Sequence, residues 1–341
     1  MNTLDEPRKT VRTVSVTRHG PPEVLQIRER PEIFPGPFQI GIEVRAAGVN
    51  FSDVMARMGL YPAAPRPPFV IGYEVSGIVT ALGEGVTRFR VGDRVMAFTR
   101  FGGYAEQIAA HENDAMPLAD ELSFEEGAAL PLNYATAATA LLRYGNLQPG
   151  ERVLVHSGAG GVGIAAIQIA CHAGAEVWAA ASPGKREALE GQGAHQVVNY
   201  RAAKWDRSLP LFDLILDPIG GHSCRIDYRL LRPGGRLVVY GAAALVSGEQ
   251  RNPFTAVRTL LATPWFNPIA LTRSAKSIIG MSMLTLFDEF GEFSRWFEPA
   301  RQVIDKGARP VIASALPLSD AAEAHRQLAS RRTIGKIVLV P

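Results

Sequence analysis

The sequence predicts an α/β protein built from two domains, and three observations support this fold class. The chain has 341 residues, which exceeds the size at which a single hydrophobic core usually divides. Between residues 11 and 110, short alternating apolar runs are separated by Gly and Pro, which indicates a β-rich domain. From about residue 150, short apolar runs alternate with helical patterns, and this order predicts a doubly wound parallel sheet.

The composition is that of a soluble globular protein, with 47% hydrophobic and 20% charged residues. The net charge of +3 comes from scattered charges without a basic cluster, so we expect no nucleic-acid partner. Two cysteines, Cys171 and Cys224, argue against a disulfide framework and favour a reducing compartment. No apolar run approaches the ~18 residues of a transmembrane helix, and residues 1–10 form a polar tail. We therefore expect a cytoplasmic protein with no integral membrane segment.

In the β-rich part, the alternating runs predict strands at residues 14–16, 40–44, 75–79 and 91–98. Between them, residues 48–62 are predicted to form a loop and a short helix. Ser123 and Glu126 have the spacing of a capping box, which predicts the start of an alanine-rich helix. A second helix is predicted at residues 134–144, because Gly145 and Pro149 stop it.

In the second part, the apolar runs predict five strands, at residues 153–156, 176–181, 197–199, 212–216 and 236–240. Residues 251–277 are expected to form helix and loop. Helices are expected at residues 287–306 and 319–329, the second opened by Ser319. Residues 335–341 are predicted to form a strand that returns to the first domain. We therefore predict a catalytic domain of residues 1–132 and 282–341, and a cofactor domain of residues 133–281.

The most informative stretch is residues 153–163, where an apolar run ends at His156 and a glycine-rich turn follows. Strand, G-x-G-x-x-G turn and helix, in this order, are typical of a dinucleotide fingerprint. The first glycine would allow a tight turn, the second would let the backbone approach a pyrophosphate, and the third would let the helix pack closely. The predicted cofactor contacts are Gly158, Gly160, Gly161, Val162 and Gly163. The alternative is a turn with a purely structural role, and His156 itself is predicted to be packed rather than catalytic.

The residues after the second strand of the cofactor domain favour NADPH over NADH. An acidic residue usually follows this strand in NAD-binding folds, but here Ser182, Lys185 and Arg186 follow it. A hydroxyl and a cation can hold a 2′-phosphate that a carboxylate would repel. The alternative is that the two cations are the solvated start of a helix. Tyr200 is expected to flank the phosphate or the adenine, or else to be a half-buried tyrosine at a strand end.

Motifs along nearly the whole chain resemble the zinc-independent quinone oxidoreductase branch of the medium-chain dehydrogenase/reductase superfamily. They are Ala-Gly-Val-Asn-Phe-Ser-Asp at 47–53, Ile-Gly-Tyr-Glu-Val-Ser-Gly at 71–77, Val-Gly-Asp-Arg-Val at 91–95, Gly-Tyr-Ala-Glu at 103–106, Ala-Leu-Pro-Leu-Asn-Tyr-Ala-Thr at 129–136, Asp-Pro-Ile-Gly-Gly at 217–221 and Leu-Arg-Pro-Gly-Gly at 231–235. Residues 145–150 and 251–280 look most like the synaptic-vesicle membrane protein subgroup. The resemblance implies a GroES-like β-rich catalytic domain and a Rossmann cofactor domain.

Zinc-dependent members of the superfamily place a Cys where Asn50 stands and a His-Glu where Tyr73-Glu74 stands. Asn and Tyr are poor zinc ligands, so we expect no metal. The four-cysteine structural lobe of those members is also missing, because residues 104–118 contain no Cys.

The resemblance also implies a set of site residues. Asn50 is expected near the nicotinamide, and Tyr61 is the best candidate for a proton donor. For both residues, the alternative is a role in holding the loop. Cofactor contacts are implied for Thr136, Gly241, Gly280 and Arg331, although Thr136 could be a plain helix residue and Arg331 simply exposed. Asp53 and Arg57 are four positions apart and are expected to pair with each other. Asp217, at a strand end, is expected to cap a turn.

The predicted function is NADPH-dependent reduction of a quinone or an enone in the cleft between the domains. One alternative is an NADPH-binding protein with little turnover that acts as a sensor or interaction module. Another is an enoyl-thioester reductase. By resemblance, we expect a homodimer formed by joining the cofactor-domain sheets edge to edge.

Overall fold

The computed structural model describes residues 10–341, whose strands form three sheets. The predicted polar tail lies outside these residues, except for Thr10, which begins the first strand. The strands are β1 (Thr10–Val16), β2 (Leu25–Pro31), β3 (Gln39–Val49), β4 (Phe69–Val70), β5 (Glu74–Leu82), β6 (Arg94–Phe98), β7 (Gln107–His111), β8 (Ala115–Pro117), β9 (Arg152–Val155), β10 (Glu176–Ala181), β11 (Gln196–Asn199), β12 (Phe212–Asp217), β13 (Leu231–Val239), β14 (Ser277–Gly280), β15 (Ile312–Pro317) and β16 (Lys336–Val340).

Helices connect these strands, and short helical turns extend several of them. The α-helices are α1 (Phe51–Arg57), α2 (Phe124–Ala129), α3 (Pro131–Ala138), α4 (Gly161–His172), α5 (Arg186–Glu190), α6 (His222–Leu230), α7 (Pro253–Ala262), α8 (Pro268–Ser274), α9 (Met283–Phe290), α10 (Phe293–Asp305) and α11 (Ala321–Ala329). The predicted capping box is present before α2, where Ser123 Oγ accepts from the Glu126 amide and the Glu126 carboxylate accepts from the Ser123 amide.

The β-rich part combines a seven-stranded sheet and a three-stranded sheet around one core. The seven-stranded sheet has the order β15-β16-β3-β5-β6-β8, with β7 also paired to β3, and a three-stranded sheet has the order β2-β1-β4. Val14, Ile42 and Ile337, from β1, β3 and β16, belong to the same buried cluster. β16 pairs antiparallel with β3, with Ile337 opposite Val49. The predicted return of the chain to the first domain is therefore confirmed.

The second part is a six-stranded sheet with the order β11-β10-β9-β12-β13-β14, and every neighbouring pair in it is parallel. Numbered from β9, this is the order 3-2-1-4-5-6 of a Rossmann sheet. The order reverses between β9 and β12, which places the ligand-binding crevice at the carboxyl ends of these strands. The predicted α/β class and doubly wound sheet are confirmed. The domain boundaries at residues 132 and 282 stay predictions.

Three of the predicted elements differ in the structure. The helix expected at residues 287–306 is two helices, because Gly291 and Glu292 adopt positive φ angles of 60° and 46° between α9 and α10. Ser319 does not cap α11, because a 3-10 turn from Leu318 to Asp320 precedes that helix. The segment after residue 251 forms α7 and α8 and then β14, an edge strand that the apolar pattern did not predict.

Candidate active site

The glycine-rich turn lies at the carboxyl end of β9, and its glycines serve different steric needs. A Cβ on Gly163 would stand 2.4 Å from the Ser157 carbonyl oxygen, and one on Gly161 would stand 2.4 Å from the Asn133 amide nitrogen. A Cβ on Gly160 would meet nothing closer than the Ser157 oxygen at 3.4 Å. Gly163 is therefore required by packing, whereas the protein itself leaves the space beside Gly160 open. That open space fits the close approach of a ligand expected at the second glycine.

The left-handed residue of the turn is Ser157, with a φ of 52°, and not Gly158. The role expected of Gly158, to permit a tight turn, stays a prediction. Its Cβ position is crowded by Ala179 of β10 at 3.0 Å. Val162 is half-buried in the first turn of α4, a helix that has no side-chain cap. Such an uncapped helix start favours an anion.

A segment from the β-rich part covers this turn. The Gly335 amide donates to the Ala159 carbonyl at 2.9 Å, and Gly335 forms a parallel bridge with Gly160. Gly335 has a φ of 94°, and a Cβ there would stand 2.1 Å from the Val311 oxygen. The two parts of the molecule therefore meet directly at the glycine turn.

The residues that sequence reasoning assigned to the 2′-phosphate lie near the same segment. Lys185 is buried, and its Nζ donates to the carbonyls of Arg331 (3.1 Å) and Thr333 (2.7 Å). Burial, followed by repulsion from Arg201, lowers the pKa of Lys185. Lys185 is therefore neither a solvated helix start nor a free cation. It ties the segment before Gly335 to the end of β10.

The remaining polar side chains at this end make fewer contacts within the protein than Lys185 does. Ser182 is half-buried and makes no hydrogen bond to any residue from 10 to 341. Arg331 is exposed, has a φ of 59°, and donates to the Ala243 carbonyl at 3.3 Å. Tyr200 is half-buried against the sheet core, with the Arg201 guanidinium 5.9 Å from its ring centroid. Sequence reasoning missed Arg201, although its position directly after Tyr200 could have indicated it. Arg186, by contrast, pairs with Glu190 at 3.0 Å on the surface.

The other end of the crevice is formed by the ends of β13 and β14. Gly241 packs against the Pro218 turn, where a Cβ would stand 2.5 Å from the Pro218 oxygen. Gly280 is exposed, and a Cβ there would meet no atom within 4 Å. Asp217 accepts from the Ile219 amide at 2.6 Å, so its predicted role in capping the turn is confirmed. Thr136 lies buried on α3 and makes no hydrogen bond through its side chain within the described part of the chain.

Asn50 is held by a buried ion pair. Its side-chain amide donates to Glu74 Oε1 at 2.8 Å, and its side-chain oxygen accepts from Lys336 Nζ at 2.6 Å. Lys336 Nζ also donates to Glu74 Oε1, and Glu74 Oε2 accepts from the Leu132 amide at 2.6 Å. The Asn50 side chain therefore already uses both of its ends inside the protein. Lys336 lies 286 positions from Asn50, so sequence reasoning had no signal for this contact.

Tyr61 lies where the two parts of the molecule meet. It packs against the cores of both, and its ring meets the Tyr73 ring edge-on at a centroid distance of 6.1 Å. Burial raises the pKa of Tyr61, and interaction with the Ser282 side chain partly offsets this rise. Ser282 follows the Gly280 end of β14. The Tyr73 hydroxyl is buried and has no hydrogen-bond partner among residues 10–341.

The predicted pair of Asp53 and Arg57 is wrong. Asp53 Oδ2 accepts from the Asn50 amide at 2.7 Å and from the Tyr104 hydroxyl at 2.9 Å. Arg57 turns away and donates to the carbonyls of Gly20 (2.5 Å) and Glu249 (3.2 Å). Both side chains are buried, and burial raises the pKa of Asp53 to about 7.

His156 is packed, as predicted. Its Nε2 lies 2.7 Å from Asp227 Oδ1, and both side chains are buried. Among residues 10–341 there is no group of three or more His, Cys, Asp or Glu that could hold a metal ion.

Comparisons with known proteins agree with the fold. A family model described as an alcohol dehydrogenase GroES-like domain matches residues 36–120, and one described as a zinc-binding dehydrogenase matches residues 192–339. The chain is 35% identical to the synaptic vesicle membrane protein VAT-1 homolog of Rattus norvegicus, over 97% of this chain and 84% of the relative. It is 34% identical to the quinone oxidoreductase of Rattus norvegicus, over 98% of both chains.

Among solved structures, mycobacterial Rv1454c complexed with NADPH matches with a TM-score of 0.83 and 32% identity, covering 97% of this chain and 100% of that one. A GroES-like domain joined to a Rossmann sheet defines an oxidoreductase, and the chain belongs to the medium-chain dehydrogenase/reductase superfamily. Within that superfamily it is similar to the quinone oxidoreductases and to the VAT-1 homologues. The latter are named for a vesicle membrane, yet no helix within residues 10–341 is both long and apolar enough to cross a bilayer.

Proposed function

We propose that this chain is an NADPH-dependent reductase that acts on quinones or on the electron-poor C=C bonds of enones. The proposal rests on the side chains that lie at the two ends of the crevice. At one end, Arg201 lies close enough to Lys185 to lower its pKa, and Lys185 Nζ donates to the Arg331 carbonyl. Neither arginine forms an ion pair within the described residues. At the other end, Tyr61 lies beside Ser282.

The residues present fit a dinucleotide phosphate. The open position beside Gly160 and the uncapped start of α4 suit the pyrophosphate. The free hydroxyl of Ser182 and the Arg201 guanidinium suit a 2′-phosphate, and Arg331 is a further predicted contact. Lys185 supports this end by fixing the backbone of Arg331. Gly241 and Gly280 leave backbone atoms available where the nicotinamide is expected, and Thr136 is a further predicted contact.

When bound, NADPH supplies a hydride to the electron-poor carbon of the acceptor. The acceptor oxygen then needs a proton, and the Tyr61 hydroxyl is the group that we propose to donate it. Because burial raises the pKa of Tyr61, this hydroxyl stays protonated at neutral pH. Asn50 acts differently: its side chain is engaged by Glu74 and Lys336, so we propose that it positions the start of α1.

The experiment is a comparison of NADPH and NADH oxidation by para-benzoquinone and by a simple enone, followed by absorbance. We expect turnover with NADPH and a fall in kcat of about 10²-fold in Tyr61→Phe. Tyr144→Phe is the matched control, because Tyr144 is also half-buried but lies at the end of the helical segment Thr139–Tyr144, whereas Tyr61 lies in the loop after α1. Full activity of Tyr61→Phe would remove Tyr61 from the mechanism, and a preference for NADH would refute the roles given to Ser182 and Arg201.

A second function is supported by the state of Asn50. Since Glu74 and Lys336 already satisfy this side chain, the structure is also compatible with an NADPH-binding protein of low turnover that serves as a sensor or interaction module. Tight NADPH binding in a titration, without oxidation by any acceptor, would favour this function. An enoyl-thioester reductase stays a predicted alternative.

We further propose a homodimer that joins two β14 edges, since β14 is the last strand of its sheet. We also propose catalysis without zinc, a cytoplasmic location and domain boundaries at residues 132 and 282.

A further inference from the structure

Arg57 is a buried cation to which the proposed reaction gives no role. It is the last residue of α1, and its side chain is fully buried. It has no ion pair within residues 10–341, and its Nη1 donates to two backbone carbonyls, those of Gly20 (2.5 Å) and Glu249 (3.2 Å). Its Nε has no hydrogen-bond partner among the same residues. Burial lowers the pKa of Arg57 to about 10, against the attraction of Glu249 and Glu23, so the group is a cation at neutral pH.

The stability of α1 alone does not account for this arginine. A buried guanidinium without an ion pair loses its hydration and gains only neutral partners, which costs free energy. An apolar side chain of similar length would fill the same space without that desolvation penalty. What distinguishes Arg57 is that its two acceptors belong to different parts of the molecule. Gly20 lies in the β-rich part, whereas Glu249 lies in the loop between β13 and α7.

The loop after β13 depends on this contact. Its first half is fixed to the Rossmann sheet, because the amides of Ala243 and Ala244 donate to carbonyls of the turn after β12 at 3.0 and 2.9 Å. Its second half, residues 247–251, is exposed. Within the described part of the chain, the bond from Arg57 to the Glu249 carbonyl is the one hydrogen bond that the backbone of residues 247–251 makes.

The residue between these two halves forms part of an apolar wall beside Tyr61. Val246 is buried in one cluster with Met55 of α1, and Tyr61 packs against that cluster. Gly241, at the start of the same loop, is the position where the nicotinamide is expected. Arg57 therefore joins the helix that leads to Tyr61 to the loop that leads from Gly241.

We propose that Arg57 is a positioning residue, which holds the loop of residues 241–251 against α1 and so keeps Tyr61 aligned with the nicotinamide and the acceptor. The role rests on the proposed reductase function. It adds to that function a residue that contacts neither the acceptor nor the cofactor and acts through the loop. A misplacement of about 1 Å in an active site can lower the rate ~100-fold, so the loss of this contact should be visible in turnover.

The test compares the full-length wild type with Arg57→Met and Arg57→Lys in the oxidation of NADPH by para-benzoquinone. Arg57→Met removes the charge and both hydrogen bonds, whereas Arg57→Lys keeps the charge without the planar fork of donors. We expect kcat to fall at least ~10-fold in Arg57→Met and by less in Arg57→Lys. The Kd of NADPH in titrations should not change, because neither variant alters the glycine turn or Arg201.

A second readout is independent of turnover. Arg251 lies in the exposed half of the loop, where trypsin can cleave after it. Once the Glu249 carbonyl is released, we expect this cleavage to be at least ~10-fold faster in Arg57→Met, the factor that one hydrogen bond to a charged group corresponds to. This readout separates the two proposals. A wild type that does not oxidise NADPH refutes the reductase function, and the cleavage rate still tests the hold on the loop.

Arg30→Met is the matched control. Arg30 is half-buried, its Nη2 donates to the Gln107 carbonyl at 2.7 Å, and its Nε also lacks a partner among residues 10–341. Both ends of this contact lie in the β-rich part, on β2 and β7. Arg30→Met should therefore keep the kcat and the cleavage rate of the wild type. Thermal melting of each variant checks that it is folded, and Arg57→Lys carries the comparison if Arg57→Met does not fold.

Three outcomes would overturn the proposal. An active wild type and an equally active, folded Arg57→Met protein would show that turnover does not need the contact. Unchanged cleavage after Arg251 would show that the contact does not hold the loop. A loss of NADPH affinity as large as the loss of kcat, or an equal fall of kcat in Arg30→Met, would show that the effect is not one of positioning.

Discussion

Alanine placed at two glycines of the same turn should separate folding from cofactor binding. In Gly160→Ala the new Cβ meets only the Ser157 oxygen at 3.4 Å, and Gly160 has φ −80° and ψ 168°, which alanine adopts without strain. We expect the free energy of unfolding to stay the same or to rise by about 0.5 kcal/mol, because the unfolded chain loses freedom. NADPH affinity should nevertheless fall at least ~10-fold, since the Cβ fills the space that the pyrophosphate needs.

In Gly163→Ala the Cβ would stand 2.4 Å from the Ser157 oxygen and 2.7 Å from two backbone atoms of Gly158. These backbone atoms cannot rotate away as a side chain could, so we expect a loss of about 1–3 kcal/mol in the free energy of unfolding. The assays are urea unfolding followed by circular dichroism and fluorescence titration with NADPH. Unchanged NADPH affinity in a folded Gly160→Ala protein would refute the assignment of this turn to the pyrophosphate.

Three further predictions concern single side chains. In titrations, Arg201→Gln should weaken NADPH binding by ~5–10-fold and leave NADH binding unchanged. The control Arg207→Gln should change the binding of neither cofactor. An equal loss of NADH binding in Arg201→Gln would exclude a contact between Arg201 and the 2′-phosphate. Burial raises the pKa of Asp53 from 3.8 to about 7, so as pH rises the unfolded chain loses this proton at a lower pH than the folded protein does. The free energy of unfolding should therefore fall as pH rises between these two values. Asp53→Asn should flatten that slope in urea titrations, and an unaltered slope would contradict it. Tyr73→Phe removes a buried hydroxyl without a partner, so the urea midpoint should rise by the equivalent of ~1 kcal/mol, and a lower midpoint would show that the hydroxyl is satisfied.

Local patterns predicted much of the architecture because short-range sequence determines it. The alternation of apolar runs located β9 to β13, and Ser123 with Glu126 located the start of α2. β14 was not predicted, because Ser277–Gly280 is a short edge strand of which only the two middle residues are partly buried. The break between α9 and α10 at Gly291 and Glu292 was not predicted, because the apolar periodicity continues through it into α10.

The candidate site was harder to predict from the sequence, because its contacts join positions that are far apart in the chain. Asn50 and Tyr61 were identified by resemblance, but the engagement of Asn50 by Lys336 depends on the pairing of β16 with β3. Lys185 was expected to hold a 2′-phosphate or, as the alternative, to begin a solvated helix, but its Nζ donates to the carbonyls of Arg331 and Thr333, which no local pattern indicates. Periodicity describes which side of an element is apolar, and it contains no information about which other segment will cover that side.

The pairing of β16 with β3 also has a consequence for the order of events during synthesis. The ribosome makes Asn50 and Glu74 long before Lys336, which is 286 positions beyond Asn50. Until β16 is added, residues 47–49 of β3 lack their partner strand, and the buried Glu74 carboxylate has no cation. Because a nascent sheet with an open edge is prone to wrong pairing, the β-rich part gains its final form only after the whole Rossmann sheet has left the ribosome. The parallel sheet, which forms from contiguous sequence, can therefore fold first and hold the two halves of its neighbour in place.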